Sequence, residues 1–114
     1  MPADRFDPTD LRSQRQAADE AAEKRRNNRD RELDDIRWLM SDKRGRRVMH
    51  RLLAAGHIFH SSFTGNSETF FREGERNLAL QFFNDVHEAA AERYAEMLKE
   101  QKEHDHRNAG DRAR

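Results

Sequence analysis

The chain has 114 residues, of which 39% are charged, with 22 basic and 22 acidic side chains and no cysteine. Such a length suits one domain with a modest core, and without cysteine neither a disulfide framework nor a thiolate metal site exists. No apolar run approaches the roughly 18 residues of a membrane-spanning helix, and Met1-Pro2-Ala3-Asp4-Arg5 opens without the apolar stretch of a secretion signal. A soluble chain is expected.

Neutrality hides a segregation of charge. Residues 42–66 hold five basic and one acidic side chain (+4), whereas residues 1–41 sum to −1 and residues 67–114 to −3. All large apolar residues except Met1, Phe6 and Leu11 lie between Leu33 and Leu98. The expected organisation is therefore a charged N-terminal helix or extension over 1–32, a helical core over 33–102, and a disordered polar tail over 103–114. A core so small buries only about 60% of its unfolded surface, which makes association with copies of itself or with a partner an expectation.

Asp7 as cap, Pro8 at the first helical position and Asp10 near the positive helix end predict that a first helix starts near Pro8. Between Leu11 and Leu33 only Ala17, Ala18, Ala21 and Ala22 mark a face. A helix from Pro8 to about Met40 would be roughly 50 Å long at 1.5 Å per residue, so its first half is expected to project. That half is either a solvated, charge-laced helix or one that docks through its alanine seam. Leu33, Ile36, Trp38, Leu39 and Met40 are dense enough to pack.

Ser41 or Asp42 is the expected cap of a short amphipathic helix over about Lys43 to Ala55, closed by Gly56 in a left-handed conformation. At 100° per residue, Val48, Met49, Leu52 and Leu53 gather on one side; Lys43, Arg44, Arg47 and Arg51 gather opposite, flanked by Arg46. A connection from His57 to Asn66 follows, with the turn cluster Gly65-Asn66-Ser67 capping the next helix. The last helix is expected from Glu68 to Lys102, its inner stripe running Phe71, Gly74, Leu78, Phe82, Val86, Ala90, Tyr94 and Leu98. Steps of four drift about 40° each round a 3.6-residue helix, so this helix must bend, be wrapped or break, and Ala89-Ala90-Ala91 is where a break is expected. The fold class is all-α, a small bundle of three to four helices.

Lys43, Arg44, Arg46, Arg47 and Arg51 form a candidate nucleic-acid-binding face, because an exposed arginine stripe neutralises phosphates and releases counterions. The competing reading is the polar side of an ordinary amphipathic helix, paired to the acidic last helix. No aromatic interleaves the arginines, which weakens base stacking. The ten-residue connection exceeds the tight turn of a helix-turn-helix. His57-x-x-His60, with His50 or His87 as third ligand, lacks a carboxylate at motif spacing, and loop histidines that hydrogen-bond locally are the expectation. Glu73, Glu75 and Arg76 are read as a structural ion cluster, with Gly74 allowing close helix approach. No phosphate-binding glycine loop or nucleophile elbow occurs, so no metal, cofactor or enzymatic activity is expected.

Leu39-Met40 before Gly45-Arg46-Arg47, the His57 to Asn66 connection, Phe71-x-x-Gly74-x-Arg76-Asn77 and Tyr94-x-x-Met97-Leu98-x-Glu100 together resemble the small podophage protein family typified by a Bordetella phage protein. The resemblance covers roughly Trp38 to Glu100. It implies a phage protein encoded among head and packaging genes, found in the virion or the infected host cytoplasm. It supplies no catalytic residue; Gly45, Gly65, Asn66, Phe71, Glu73, Gly74 and Arg76 enter only as motif positions. The expected function is a virion or virion-assembly component that contacts head or portal-region proteins and forms homo-oligomers. The alternative is a nucleic-acid-binding accessory in DNA packaging.

Overall fold

A computed structural model of the chain describes residues 9–59 and 68–112. Three helices follow in order among the described residues: α1 (Leu11–Met40), α2 (Lys43–Ala55) and α3 (Glu68–Arg112), with no strand between them. The chain divides into two compact units, Met1–Glu32 and Leu33–Arg114.

In the first unit, α1 begins at Leu11, three residues later than the Pro8 start expected from sequence. Its cap is Asp10: one carboxylate oxygen accepts the Arg12 amide at 3.0 Å and the other accepts the Ser13 hydroxyl at 3.1 Å. One of the free amides at the helix start is thereby satisfied, and the Ser13 hydroxyl holds the carboxylate in place. Asp7 and Pro8 lie outside the described residues. Further along, Gln16 pairs with Glu20 and Arg29 with Glu32, at the i, i+4 and i, i+3 spacings that support an exposed helix.

The second unit is a small helical bundle. Its core takes Ile36 and Met40 from the end of α1, Met49 and Leu53 from α2, and Ala79, Val86, Ala90 and Met97 from α3. Trp38, expected to pack, is 74% exposed: two positions from both Ile36 and Met40, it sits across the helix from the face they bury. The buried sector of α2 is likewise turned relative to the expectation. Gly45, Arg46, Met49 and Leu53 are buried, while Val48 and Leu52 reach the surface.

Two glycines decide how closely the helices approach. A Cβ on Gly45 would lie 1.8 Å from the Leu39 carbonyl oxygen, so the turn from α1 into α2 admits no side chain there. Asp42 caps α2, its carboxylate accepting the Arg44 amide at 3.4 Å. At the far end, a Cβ on Gly56 would lie 2.2 Å from that of Ala79. Gly56 is not left-handed as expected (φ −85°); the left-handed residue is His57, at φ 63°. The amides of His57 and Ile58 donate to the carbonyls of Ala54 and Leu53, and Ile58 packs on the core, which completes a Schellman closure. Gly56 is thus selected for close packing, and the left-handed position falls to the next residue.

α3 is interrupted once. Ala90 has φ −156° and ψ 60°, non-helical values that break the repeat inside the Ala89-Ala90-Ala91 run where sequence periodicity placed a break. Arg37 of α1 donates its Nε–H to the Ala89 carbonyl at 3.0 Å at that point. Phe83, His87 and Tyr94 close round the same bend, with ring centroids 4.2 to 5.5 Å apart. The expected disordered tail is corrected: helix continues to Arg112. The i, i+4 side-chain pairs Gln101 to Asp105 and Asn108 to His104 support it beyond the core; residues 113 and 114 lie outside the described residues.

The inner stripe expected on α3 holds only in its middle. Val86 and Ala90 are buried and Phe82 packs on the core, but Phe71, Leu78 and Leu98 are exposed. The buried positions are instead Ala79, Val86, Ala90 and Met97, where steps of seven, from Ala79 to Val86 and from Ala90 to Met97, drift less round the helix than repeated steps of four.

Candidate functional site

The structure sorts the five basic residues of α2 into two groups. Arg46 turns inward and is 6% exposed. Its Nε donates to a Glu100 oxygen at 2.6 Å, Nη1 donates to the Met40 carbonyl at 2.8 Å, and Nη2 lies 3.4 Å from a Glu96 oxygen. One guanidinium therefore ties the C-terminal end of α1 and the second half of α3 to α2, and it is a structural clamp rather than part of an exposed stripe. A hydrogen bond from Arg93, with the Arg46 charge adding to it, holds the Glu96 carboxyl below its usual range.

Lys43, Arg44, Arg47 and Arg51 stay in solvent. None of them forms an ion pair with a described residue. Lys43, Arg47 and Arg51 line an open groove of about 610 Å³ between α2 and the second half of α3. Arg46 and Glu100, already paired, lie in its lining with Met97, while His104 and Arg107 join from α3. Arg44 is outside this lining. His50 also faces the groove and stacks on Phe59, with ring centroids 5.1 Å apart. Burial pushes its pKa below the ordinary 6.5, and the Asp105 charge partly opposes that shift.

His104 and Arg107 are the residues that sequence reasoning missed, because they were assigned to a disordered tail. The signal was present: Met97, Glu100, His104 and Arg107 recur at steps of three and four with no breaker among them.

The acidic cluster is realised differently from the expectation. Glu75 contacts His57 Nε2 at 2.8 Å, and Arg76 donates to the His57 carbonyl at 3.3 Å; together they hold the left-handed residue. Glu73 is exposed. Gly74 does not mediate close helix approach, for a Cβ there would meet nothing within 4 Å. Close approach belongs instead to Gly45 and Gly56. Phe71 is in solvent, Gly65 and Asn66 fall outside the described residues, and so does His60 of the histidine pair. Among the described residues, no three histidine or acidic side chains are grouped so as to hold a metal ion, and no helix is long and apolar enough to cross a membrane.

No curated protein and no solved structure matches this chain. The sequence model of the Bbp19-like phage proteins does match, over residues 36–99. That span opens at Ile36, the first core residue, and closes one residue short of the Arg46 partner Glu100, taking in the whole core and the α2 cations. With more than half of its length matched, the chain belongs to the Bbp19-like phage protein family.

Proposed function

We propose that the protein is a non-enzymatic component of the phage particle or of its assembly, working by contact with head or portal-region proteins and with copies of itself. What supports this reading is apolar surface left in water on ordered helix. Phe70 and Phe71 are 81% and 72% exposed at the start of α3, with Leu78 two turns further on, and aromatic side chains of this kind dominate protein interfaces. The titratable residues that meet one another are engaged in structural pairs, Arg46 with Glu96 and Glu100 and His57 with Glu75. A role in contact suits that arrangement better than proton transfer does.

The test is peptide mass spectrometry of purified mature particles beside DNA-free precursor heads, with copy number measured in each. A small symmetric copy number in mature particles supports a permanent or delivered component. Presence in precursors alone supports an assembly factor. Absence from both defeats the reading.

A second reading rests on a separate observation: the unpaired cations on α2. It makes the protein a nucleic-acid-binding accessory of DNA packaging, with affinity that falls steeply as salt rises.

A further inference from the structure

We propose that the groove between α2 and the second half of α3 seats the phosphodiester backbone of duplex DNA and grips it from both walls. Lys43, Arg47 and Arg51 act on one wall, His104 and Arg107 on the other. This rests on the nucleic-acid reading and deepens it, because it makes the binding element a two-walled site rather than one helix face.

The charge balance of the groove carries the argument. Arg46 and Glu100 neutralise each other within the lining. Lys43, Arg47, Arg51 and Arg107 remain exposed and without an ion-pair partner among the described residues. Glu100 is the one carboxylate that lines the groove, with Asp105 close enough to influence His50. Four uncompensated cations facing one cleft leave an unfilled demand for anion.

Spacing narrows the ligand. Lys43, Arg47 and Arg51 follow at steps of four, so they span about 12 Å of helix at 1.5 Å per residue. Phosphates on one strand of a duplex recur about every 3.4 Å of axis while winding round it; a row of this length therefore reaches more than one of them. Arginine forks match phosphate oxygens in pairs. An acidic protein helix would need apolar anchors in the groove, and the lining offers only Val48, Ala54 and the buried Met97. No phenylalanine, tyrosine or tryptophan lines it, so stacking of single-strand bases has no platform there. The ligand is the backbone, and binding is independent of base sequence.

The experiment uses the full-length protein and fluorescence anisotropy with a labelled mixed-sequence DNA duplex across a sodium chloride series. Wild type should bind with affinity that falls as salt rises. R47E/R51E and R107E should each weaken binding, with the salt slope shallower by about 1 for each cation lost. R107Q should lose less than R107E. K99E, an equal charge change on exposed α3 surface outside the lining, should leave the slope as it is. Circular dichroism verifies that each variant keeps its helix content. If R47E/R51E weakens binding while R107E matches wild type, the two-walled site is overturned and the α2 face alone survives. If wild type shows no salt-dependent duplex binding, both the groove proposal and the nucleic-acid reading fail. Tighter binding of a polyglutamate peptide than of the duplex overturns the DNA assignment in favour of an acidic protein partner.

Discussion

Arg46 shows how one residue's role changes when its neighbours are known. In sequence it stands in a basic run and reads as one more surface charge. Its place on the helix, beside Met49 and Leu53, carries it inward, where Glu100, Glu96 and the Met40 carbonyl satisfy its donors. Removing one partner of a buried ion pair costs about 3–5 kcal/mol, since the other charge is left uncompensated. Arg46→Ala should lose stability at the lower end of that range, because Glu96 and Glu100 keep some access to water; urea unfolding followed by circular dichroism measures it.

The glycines offer a sharper contrast, because one substitution should act with opposite sign at two positions. Gly56→Ala brings a methyl against Ala79, so α2 and α3 must separate, at a cost of about 1–3 kcal/mol. Gly74→Ala places the same methyl in open space within a helix, and should stabilise by about 0.5–1 kcal/mol. Thermal melts of the two variants beside wild type give both signs directly.

At the scale of elements, the bend at Ala90 is the feature that organises the rest of α3. Neither proline nor glycine enforces it. Its support comes from Arg37 on the Ala89 carbonyl and from Phe83, His87 and Tyr94 packing across the bend. Burial among these rings pushes the Tyr94 phenol above its ordinary range. Arg37→Met keeps the stem of the side chain and removes the donor of an exposed hydrogen bond, so it should destabilise by about 0.5–1.5 kcal/mol. An unchanged urea midpoint would mean that ring packing alone holds the bend. Periodicity located the bend correctly because a stripe that advances by fours cannot stay on one face of a straight helix. It could not say which side chain from another helix would meet the interrupted carbonyl, since that contact joins residues 52 positions apart.

For the molecule as a whole, His50 supplies a pH dependence whose sign can be worked out. Its folded pKa lies below the ordinary 6.5 because burial disfavours the charged ring. As pH falls, the unfolded chain therefore takes up this proton first, and the stability present above pH 6.5 is lost as pH drops from 6.5 through the folded value. The melting temperature should fall over that range. His50→Gln should show a smaller fall, and an identical slope in the variant would remove His50 as the cause. His50 also lies in the groove lining, so the same titration series bears on the proposed DNA site.

The sequence by itself determined the all-helical class, three to four helices of which the structure has three, the location of the core between Leu33 and Leu98, the cap near Asp42 and a break within Ala89-Ala90-Ala91. These follow from periodicity, capping chemistry and composition, which act within a few residues of one another. Tertiary structure alone decided which members of each face are buried. It drew Arg46 inward and left Trp38, Phe71 and Leu78 in water; it assigned the close-packed positions to Gly45 and Gly56 rather than Gly74, and brought Arg107 across from Arg47. The physical reason is common to all of these. A helix's period shows that a face exists, whereas the partner that covers the face, and the rotation at which it does so, depend on contacts between residues distant in the chain.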